Sequence, residues 1–187
     1  MVSNVKDDES KAKIYAALHK DEGSGSHISQ IYNSIASRKF GTSDVAREGC
    51  GPAVATSVLR RFGKNVSLKD SVDYAIKRGY AAGASGVGTN AGFFGDILGK
   101  NGINTRYTES QANIKDSIKS GLPTILLGRN GGNRSKANSP FGPTNHYVVA
   151  QGMDRKGNVI IDDPELKGTA LYNKSILRDV KMGVTAG

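Results

Sequence analysis

The sequence predicts an α+β domain in which helical patterns come first and paired strands follow. Three observations lead to this prediction. Apolar residues recur at helical spacing after residue 50 and again after residue 67, so two helices are expected there. Short apolar runs of strand length begin at residues 124, 146 and 158. A tight turn separates the last two runs, which indicates a β-hairpin in the second half of the chain.

Composition indicates a single globular domain. The chain has 187 residues, of which 37% are hydrophobic and 23% are charged, and this length is sufficient for a proper core. No apolar run reaches membrane-spanning length, and the polar start of the chain is unlike a signal peptide. The single cysteine excludes an internal disulfide. That suits a cytoplasmic protein, and equally a phage protein or a Gram-positive surface protein.

The net charge of +9 predicts attraction to polyanions, a class that includes nucleic acid, anionic cell wall and anionic membrane. Basic residues are spread along the chain without a dense run, and tryptophan is absent. The sequence shows no aromatic-plus-basic pattern for stacking single-stranded nucleic acid. Nucleic acid is therefore disfavoured as a partner, whereas the charge by itself does not choose between cell wall and membrane.

The first 27 residues are predicted to be a polar tether. Residues 7–19 fit a short polar helix, and the Gly-Ser run at 23–26 is typical of a flexible joint. We therefore place the folded domain at residues 28–187. A tether of this kind predicts that the chain is one monomeric module of a longer polypeptide.

Two helices are predicted at the front of the domain. The first begins at Cys50, has Pro52 in its first turn and ends at Gly63. The second runs from Ser67 to Gly79 and has a capping-box spacing to an acidic residue at position 70. The residues expected to face the core are Val54, Val58 and Leu59 in the first helix, and Val72, Ala75 and Ile76 in the second.

The middle of the chain predicts further helices and strands. A glycine-rich loop at 83–92 departs from the dinucleotide-binding fingerprint in its spacing, so nucleotide binding is not expected. The polar stretch 128–145 has no periodicity and is either a functional rim or a solvated connection. The regular elements expected here are a helix capped by Thr89 or Asn90 and closed by Gly99, a strand at 104–107, a helix containing Ile114 and Ile118 and ended by Gly121, and a strand at 124–127.

Cys50 is the strongest candidate for a catalytic residue. It lies at a predicted helix start, where free backbone N–H groups and the positive end of the helix dipole favour the thiolate. The thiolate attacks carbonyl groups, and a lone cysteine with a histidine and a carboxylate available elsewhere is typical of a nucleophile. The ordinary alternative for a lone cysteine is a small buried residue.

The predicted hairpin brings a histidine next to a carboxylate. With a two-residue turn, Val148 faces Asp163, so Asp163 lies one diagonal step from His146 on the same sheet face. Asp162 points to the other face, and a one-residue slip would reverse the choice between the two aspartates. A Cys–His pair needs a base and an orienting carboxylate, so His146 and Asp163 are the candidates for these roles.

The other histidines are assigned no function. His19 and His27 lie in the polar front segment, and none of the three histidines has a zinc-ligand spacing to another or to Cys50. No metal or cofactor is therefore expected. For His146 the alternative to a catalytic base is a hydrogen-bonded structural histidine at the start of a strand.

The ordered motifs resemble the papain-like peptidases related to bacteriocin-leader (double-glycine) peptidases. The resemblance spans roughly residues 28–171 and rests on Gly49-Cys50-Gly51-Pro52 with the helix after it, Lys64-Asn65-Val66-Ser67, Ile118–Ile125, Asn145–Val149, Gly157–Ile161 and Asp163-Pro164. It implies a papain-like fold, in which the nucleophile helix packs on an antiparallel sheet that carries the base. It also implies thiol peptidase chemistry, with Cys50 as nucleophile, His146 as base and Asp163 as orienting acid.

One position departs from the pattern of the leader peptidases. They carry Gln six residues before the nucleophile as an oxyanion donor, whereas this chain has Asp44. A carboxylate repels a developing oxyanion unless it is protonated. Either the backbone N–H of Cys50 acts with another donor, for which Gln30 and Asn33 are candidates, or the alignment shifts.

The Gly-Cys-Gly-Pro version of the motif resembles peptidase modules of phage tail proteins, lysins and bacterial surface proteins, several of which act on peptidoglycan. The leading hypothesis is a cysteine endopeptidase of peptidoglycan peptides at an extracellular, wall-associated or virion-associated location. Two alternatives stay open. The first alternative is a protease that processes a protein or leader peptide. The second is a catalytically silent module that binds wall polymer or nucleic acid through its charge.

Overall fold

The computed structural model describes residues 26–81, 88–133, 135 and 137–187. The predicted helix at 7–19, His19, most of the Gly-Ser joint and the centre of the glycine-rich loop lie outside these residues. The domain boundary at residue 28 stays a prediction. His27, one residue before it, is buried in the folded unit.

The described residues form short helices and a mainly antiparallel set of strands. The helices are α1 (Val45–Glu48), α2 (Cys50–Arg61), α3 (Leu68–Lys77), α4 (Gly92–Lys100), α5 (Gln111–Lys119) and a 3₁₀ helix (Lys174–Asp179). The strands are β1 (Lys39–Phe40), β2 (Ser43–Asp44), β3 (Thr105–Thr108), β4 (Thr124–Gly128), β5 (His146–Met153), β6 (Val159–Asp162), β7 (Thr169–Tyr172) and β8 (Val180–Ala186).

One six-stranded sheet, in the order β3-β8-β4-β5-β6-β7, organises the domain. Every neighbouring pair in it is antiparallel. Helix α2, which begins at Cys50, packs on β5, the strand that begins with His146. The predicted α+β fold, with a helix on an antiparallel sheet that carries the candidate base, is confirmed.

Apolar cores cover both faces of the sheet. Helices α2, α3 and α4 pack on one face, together with the inward-facing strand residues Ile125, Tyr147 and Val149. Helix α5 and the 3₁₀ helix pack on the other face, against Leu126 and Val148. The alternation of successive strand residues between the two cores is the period of an extended chain. It also decides which face each polar residue at the end of β5 and β6 reaches.

Within the described residues the predicted helices form, with three corrections. Neither Thr89 nor Asn90 is the N-cap of α4; the N-cap is Ala91, and Oδ1 of Asn90 accepts from the N–H of Gly92. Ser67 and Asp70 make the expected capping box at the start of α3. Ile76 was predicted to face the core, and this is wrong because it is 43% exposed at the outer end of α3. Gly99 was predicted to close the next helix, but α4 continues through it to Lys100, and Gly102 adopts the positive φ of +76° after the helix.

Candidate active site

Cys50 is the first residue of α2, and close packing around it explains the two glycines of its motif. A Cβ atom at Gly49 would lie 2.4 Å from the backbone oxygen of Val45 in α1. A Cβ atom at Gly51 would lie 2.3 Å from Oγ1 of Thr89. Both distances are far below a van der Waals contact, so any side chain at either position would push α2 away from its neighbours. The motif therefore seats Cys50 tightly, with 8% of its surface exposed.

His146 and Asp163 lie side by side at one end of the β5–β6 hairpin. Nε2 of His146 donates to Oδ1 of Asp163 at 2.8 Å. Both residues are buried, and Asp163 is fully enclosed. The structure thus brings together the histidine and the aspartate that the hairpin geometry selects. Since Nε2 is bonded to the carboxylate, Nδ1 is the ring nitrogen left for a thiol or a substrate.

A β-bulge at Gln151 is responsible for this pairing. Near the turn, Met153 pairs with Val159, one residue away from the predicted register. The bulge shifts the register back, so that Val149 pairs with Asp162 as predicted. Without that correction the neighbouring aspartate would occupy the place of Asp163, because a one-residue slip exchanges the faces.

Asp163 is held in position by the turn that follows it. Its Oδ1 accepts a second hydrogen bond from the backbone N–H of Glu165 at 3.0 Å. Its backbone oxygen accepts from the N–H of Leu166 at 2.9 Å. These local bonds orient the carboxylate before any substrate binds, which keeps the tautomer and orientation of the His146 ring defined.

The surroundings of His146 strongly favour its protonated form. Burial by itself lowers the pKa of the ring. Hydrogen bonding with Asp163 and with the Cys50 side chain, and the negative charge of both groups, outweigh that effect and raise the pKa to about 10. The Cys50 side chain is thus close enough to the ring to raise its pKa, as Asp163 does.

A second carboxylate lies at the open side of the histidine. Oε1 of Glu165 is 3.8 Å from Nδ1 of His146, and the side chain of Glu165 is partly exposed. His146, Asp163 and Glu165 together offer ligand atoms within 4.8 Å of one another. Asp163 thus lies at Nε2 of the ring and Glu165 lies on the side of Nδ1.

The candidate oxyanion donors differ sharply in their contacts. Asp44 is the N-cap of α1 and accepts from the N–H of Arg47, so its carboxylate is used in capping. Asn33 donates to the backbone oxygen of Ser29 within a local turn. Gln30 is 1% exposed, its Nε2 donates to the backbone oxygen of Ala46 at 2.8 Å, and its backbone N–H donates to Pro164. Of the three, only Gln30 bridges the segment before Cys50 and the segment after Asp163.

His27 is a buried residue to which the sequence assigned no function. Its Nδ1 is hydrogen-bonded to Oδ1 of Asp162, and both side chains are at least 97% buried. A sequence signal for this contact does exist. Adjacent aspartates at a strand end point to opposite faces, so if one pairs with His146, the other also needs a partner.

Family comparison agrees with the geometry. The family model described as the Peptidase_C39 like family matches residues 24–181. The chain belongs to this family of cysteine peptidases. No curated protein gives a significant match. Among the described residues, no helix has both the length and the apolar character of a membrane span.

Solved structures of C39 peptidase domains share the fold. The peptidase domain of Streptococcus ComA, a bifunctional ABC transporter of a quorum-sensing pathway, matches with a TM-score of 0.54 and 22% identity, over 74% of this chain and 90% of that domain. A double-glycine motif protease from an AMS/PCAT transporter, solved with its leader peptide, matches with a TM-score of 0.50 and 20% identity, over 73% of this chain and 82% of that one.

Proposed function

We propose that this C39-like chain is a cysteine endopeptidase in which Cys50 is the nucleophile, His146 the base and Asp163 the orienting acid. The observation that carries the proposal is the buried His146–Asp163 hydrogen bond, made by a ring whose pKa is also raised by the Cys50 side chain at the start of α2. A structural histidine would need only one of these two partners. A ring held between a thiol and a carboxylate is built for proton transfer.

The proposed reaction proceeds through an acyl-enzyme. The Cys50 thiolate forms a bond to the peptide carbonyl carbon, the C–N bond breaks, and the His146 imidazolium gives its proton to the departing amine. Water then attacks the thioester, and the neutral ring of His146 takes a proton from this water. The C–S bond breaks, the carboxylic acid product leaves, and the thiolate–imidazolium pair is restored.

Gln30 is the proposed oxyanion donor, acting with the backbone N–H of Cys50. One amide hydrogen of Gln30 is used on Ala46. In this proposal the second amide hydrogen donates to the substrate oxygen. The contacts of Gln30 on both sides of the site preorganise the amide. Preorganised donors are effective because they need no reorganisation when charge develops.

The proposed substrate is the peptide part of peptidoglycan, at an extracellular, wall-associated or virion-associated location. The support is electrostatic: a net charge of +9 concentrates the protein at an anionic wall. Processing of a leader peptide is the second candidate. Its support is the fold shared with a protease that was solved with its leader peptide.

The test is cleavage by the wild type and by Cys50→Ala of three substrates: purified walls, an unfolded protein and a double-glycine leader peptide. Mass spectrometry of new amino termini measures the products. We expect wall cleavage that requires Cys50. Cleavage of the leader peptide alone would replace the substrate assignment and keep the chemistry, whereas full activity of Cys50→Ala on any substrate would refute the chemistry.

A further inference from the structure

The two adjacent aspartates at the end of β6 each hold a buried histidine. Asp163 pairs with His146 in the candidate site, and Asp162 pairs with His27 on the face that carries α2. The proposed reaction uses only the first pair. The second pair places the titratable ring of His27 in the core, next to the aspartate that precedes Asp163. A buried titratable group of this kind needs a physical explanation.

Hydrogen-bond accounting fixes the proton content of the second pair. Nδ1 of His27 faces Oδ1 of Asp162, and Nε2 lies 2.9 Å from the backbone oxygen of Leu166. A carbonyl oxygen only accepts hydrogen bonds, and so does an ionised carboxylate. Both ring nitrogens therefore need a hydrogen, so the pair holds one proton more than a neutral imidazole beside a carboxylate.

His27 begins a segment, residues 27–30, that contacts both the helix carrying Cys50 and the turn carrying Asp163. The N–H of Ile28 donates to Oγ of Ser57 in α2 at 3.0 Å. Oγ of Ser29 and the N–H of Gln30 both donate to the backbone oxygen of Pro164, at 3.0 and 2.8 Å. Residues 27–30 therefore connect the nucleophile helix with the turn that carries Asp163. The His27 ring is hydrogen-bonded to both ends of this turn, to Asp162 through Nδ1 and to the backbone oxygen of Leu166 through Nε2.

Within the described part of the chain, few charged groups face His27. Asp162 is in direct contact, and Asp163 contributes at longer range while it is paired with His146. Arg61 of α2 reaches Asp162 indirectly, because Gln151 accepts from Arg61 and donates to Asp162. Burial lowers the pKa of His27, but the hydrogen bond and charge of Asp162, the Leu166 carbonyl and Asp163 together raise it. The direction of this pKa shift agrees with the hydrogen-bond geometry, which also requires a proton on both ring nitrogens.

We propose that His27 is a positioning residue, whose proton clamps the 27–30 segment to the turn carrying Asp163 and thereby seats both Asp163 and Gln30. This inference rests on the proposed peptidase site. Removal of the proton at alkaline pH leaves two acceptors facing the ring, and the clamp opens. The site then loses its oxyanion donor and the fixed position of its acid together.

Asp162→Asn is the most informative variant because it makes the neutral ring of His27, and not the protonated one, the form that satisfies both hydrogen bonds. The introduced side-chain amide then donates to a neutral Nδ1 of His27, while Nε2–H still donates to Leu166. The clamp consequently works with a neutral His27 and no longer opens at alkaline pH. Asp116→Asn, the same change at an exposed position of α5, is the matched control.

The first measurement needs no substrate and begins with the wild type. Hydrogen-exchange protection factors of the Ile28 and Gln30 amides are followed against pH in the wild type. We expect them to fall about tenfold per pH unit once His27 loses its proton, since one proton is linked to closing. Asp162→Asn should abolish this fall and Asp116→Asn should keep it. A neutral His27 ring at pH 7 in the nitrogen NMR spectrum, or an identical fall in Asp162→Asn, would overturn the proposal.

The second measurement separates positioning from simple structural support. The rate of Cys50 alkylation by iodoacetamide and kcat for peptide cleavage are recorded against pH in the same proteins. We expect kcat of the wild type to fall over the same alkaline range as the protection factors. Asp162→Asn should lack this fall, with KM nearly unchanged. An unchanged kcat profile would overturn the positioning role and leave the peptidase assignment intact. Absence of any Cys50-dependent cleavage would refute the peptidase assignment, and the alkylation profile would still decide whether the clamp positions the site.

Discussion

The two His–Asp pairs of this molecule use the same side chains for different purposes. In both pairs a buried ring is bonded to a carboxylate from the end of β6. The second nitrogen makes the difference. In His27 it is fixed on a backbone carbonyl, whereas in His146 it lies on the side of the thiol and of the partly exposed Glu165. A His–Asp pair becomes reactive when one ring nitrogen stays available, and becomes structural when both are occupied.

The largest expected difference between the pairs is in catalysis. Replacing His146 by Ala should lower kcat by about 10⁴-fold or more, because both the base and the proton donor of the proposed triad are lost. His27→Gln should lower kcat by only about tenfold, since the glutamine amide can still donate to Asp162 and keeps part of the clamp. Steady-state kinetics with one peptide substrate measures both. Equal losses in the two variants would contradict the distinction drawn here.

Within the reactive pair, Asp163→Asn should lower kcat by about 10⁴-fold, an effect of the kind seen when a triad acid is made neutral. The buried carboxylate orients His146 and stabilises its positive charge. Asp162→Asn on the opposite face should retain most of the activity at neutral pH. If the two asparagine variants exchanged these phenotypes, the β5–β6 register in solution would differ by one residue.

Gln30 connects the two pairs, and its loss should fall between the effects above. Gln30→Ala should lower kcat by about 10²- to 10³-fold with little change in KM, as for other single oxyanion donors. Asn33→Ala is the matched control, because that amide serves a local turn. A loss confined to KM would indicate that Gln30 binds substrate and does not stabilise the transition state.

Both pairs should make the folded state less stable at alkaline pH. Below about pH 6.5 His146 carries its proton in the folded and unfolded chains, so its stabilisation is complete there. As the pH rises through about 10, the folded ring loses its proton and the stabilisation is lost. Urea unfolding between pH 6 and 10 measures this. In His146→Gln the slope should decrease by about 1.4 kcal/mol per pH unit above about pH 8.5, where the ring and the thiol of the unfolded chain have both lost their protons.

The smallest expected effect concerns the support of Cys50. Gly51→Ala should destabilise the protein by about 1–3 kcal/mol, because the added Cβ overlaps Thr89. Gly99→Ala is the control, since nothing lies within 4 Å of its Cβ and alanine favours a helix. Thermal unfolding measures both. A neutral Gly51→Ala would show that Thr89 moves aside readily.

Sequence patterns predicted the residues of the site better than the contacts that support them. The helix start at Cys50 and the alternation of the β5–β6 hairpin follow from local rules, and they were sufficient to select His146 and Asp163. Ile76 was misplaced because an amphipathic pattern does not say where a helix leaves the core. Gln30 and His27 were undervalued because their partners lie far away in the chain, beyond the reach of a local pattern.

The sequence by itself determined which chemical groups are present and which of them share a sheet face, because strand alternation is fixed by the backbone. The tertiary structure alone decided that the predicted pairing of Asp163 with His146 forms, and that Asp162 has a histidine partner of its own. The bulge at Gln151 sets the register, and contacts spanning 135 residues bring His27 to Asp162. Such contacts depend on how packed layers meet, since hydrogen-bond partners in a core are chosen by the available space and by the acceptors left to satisfy.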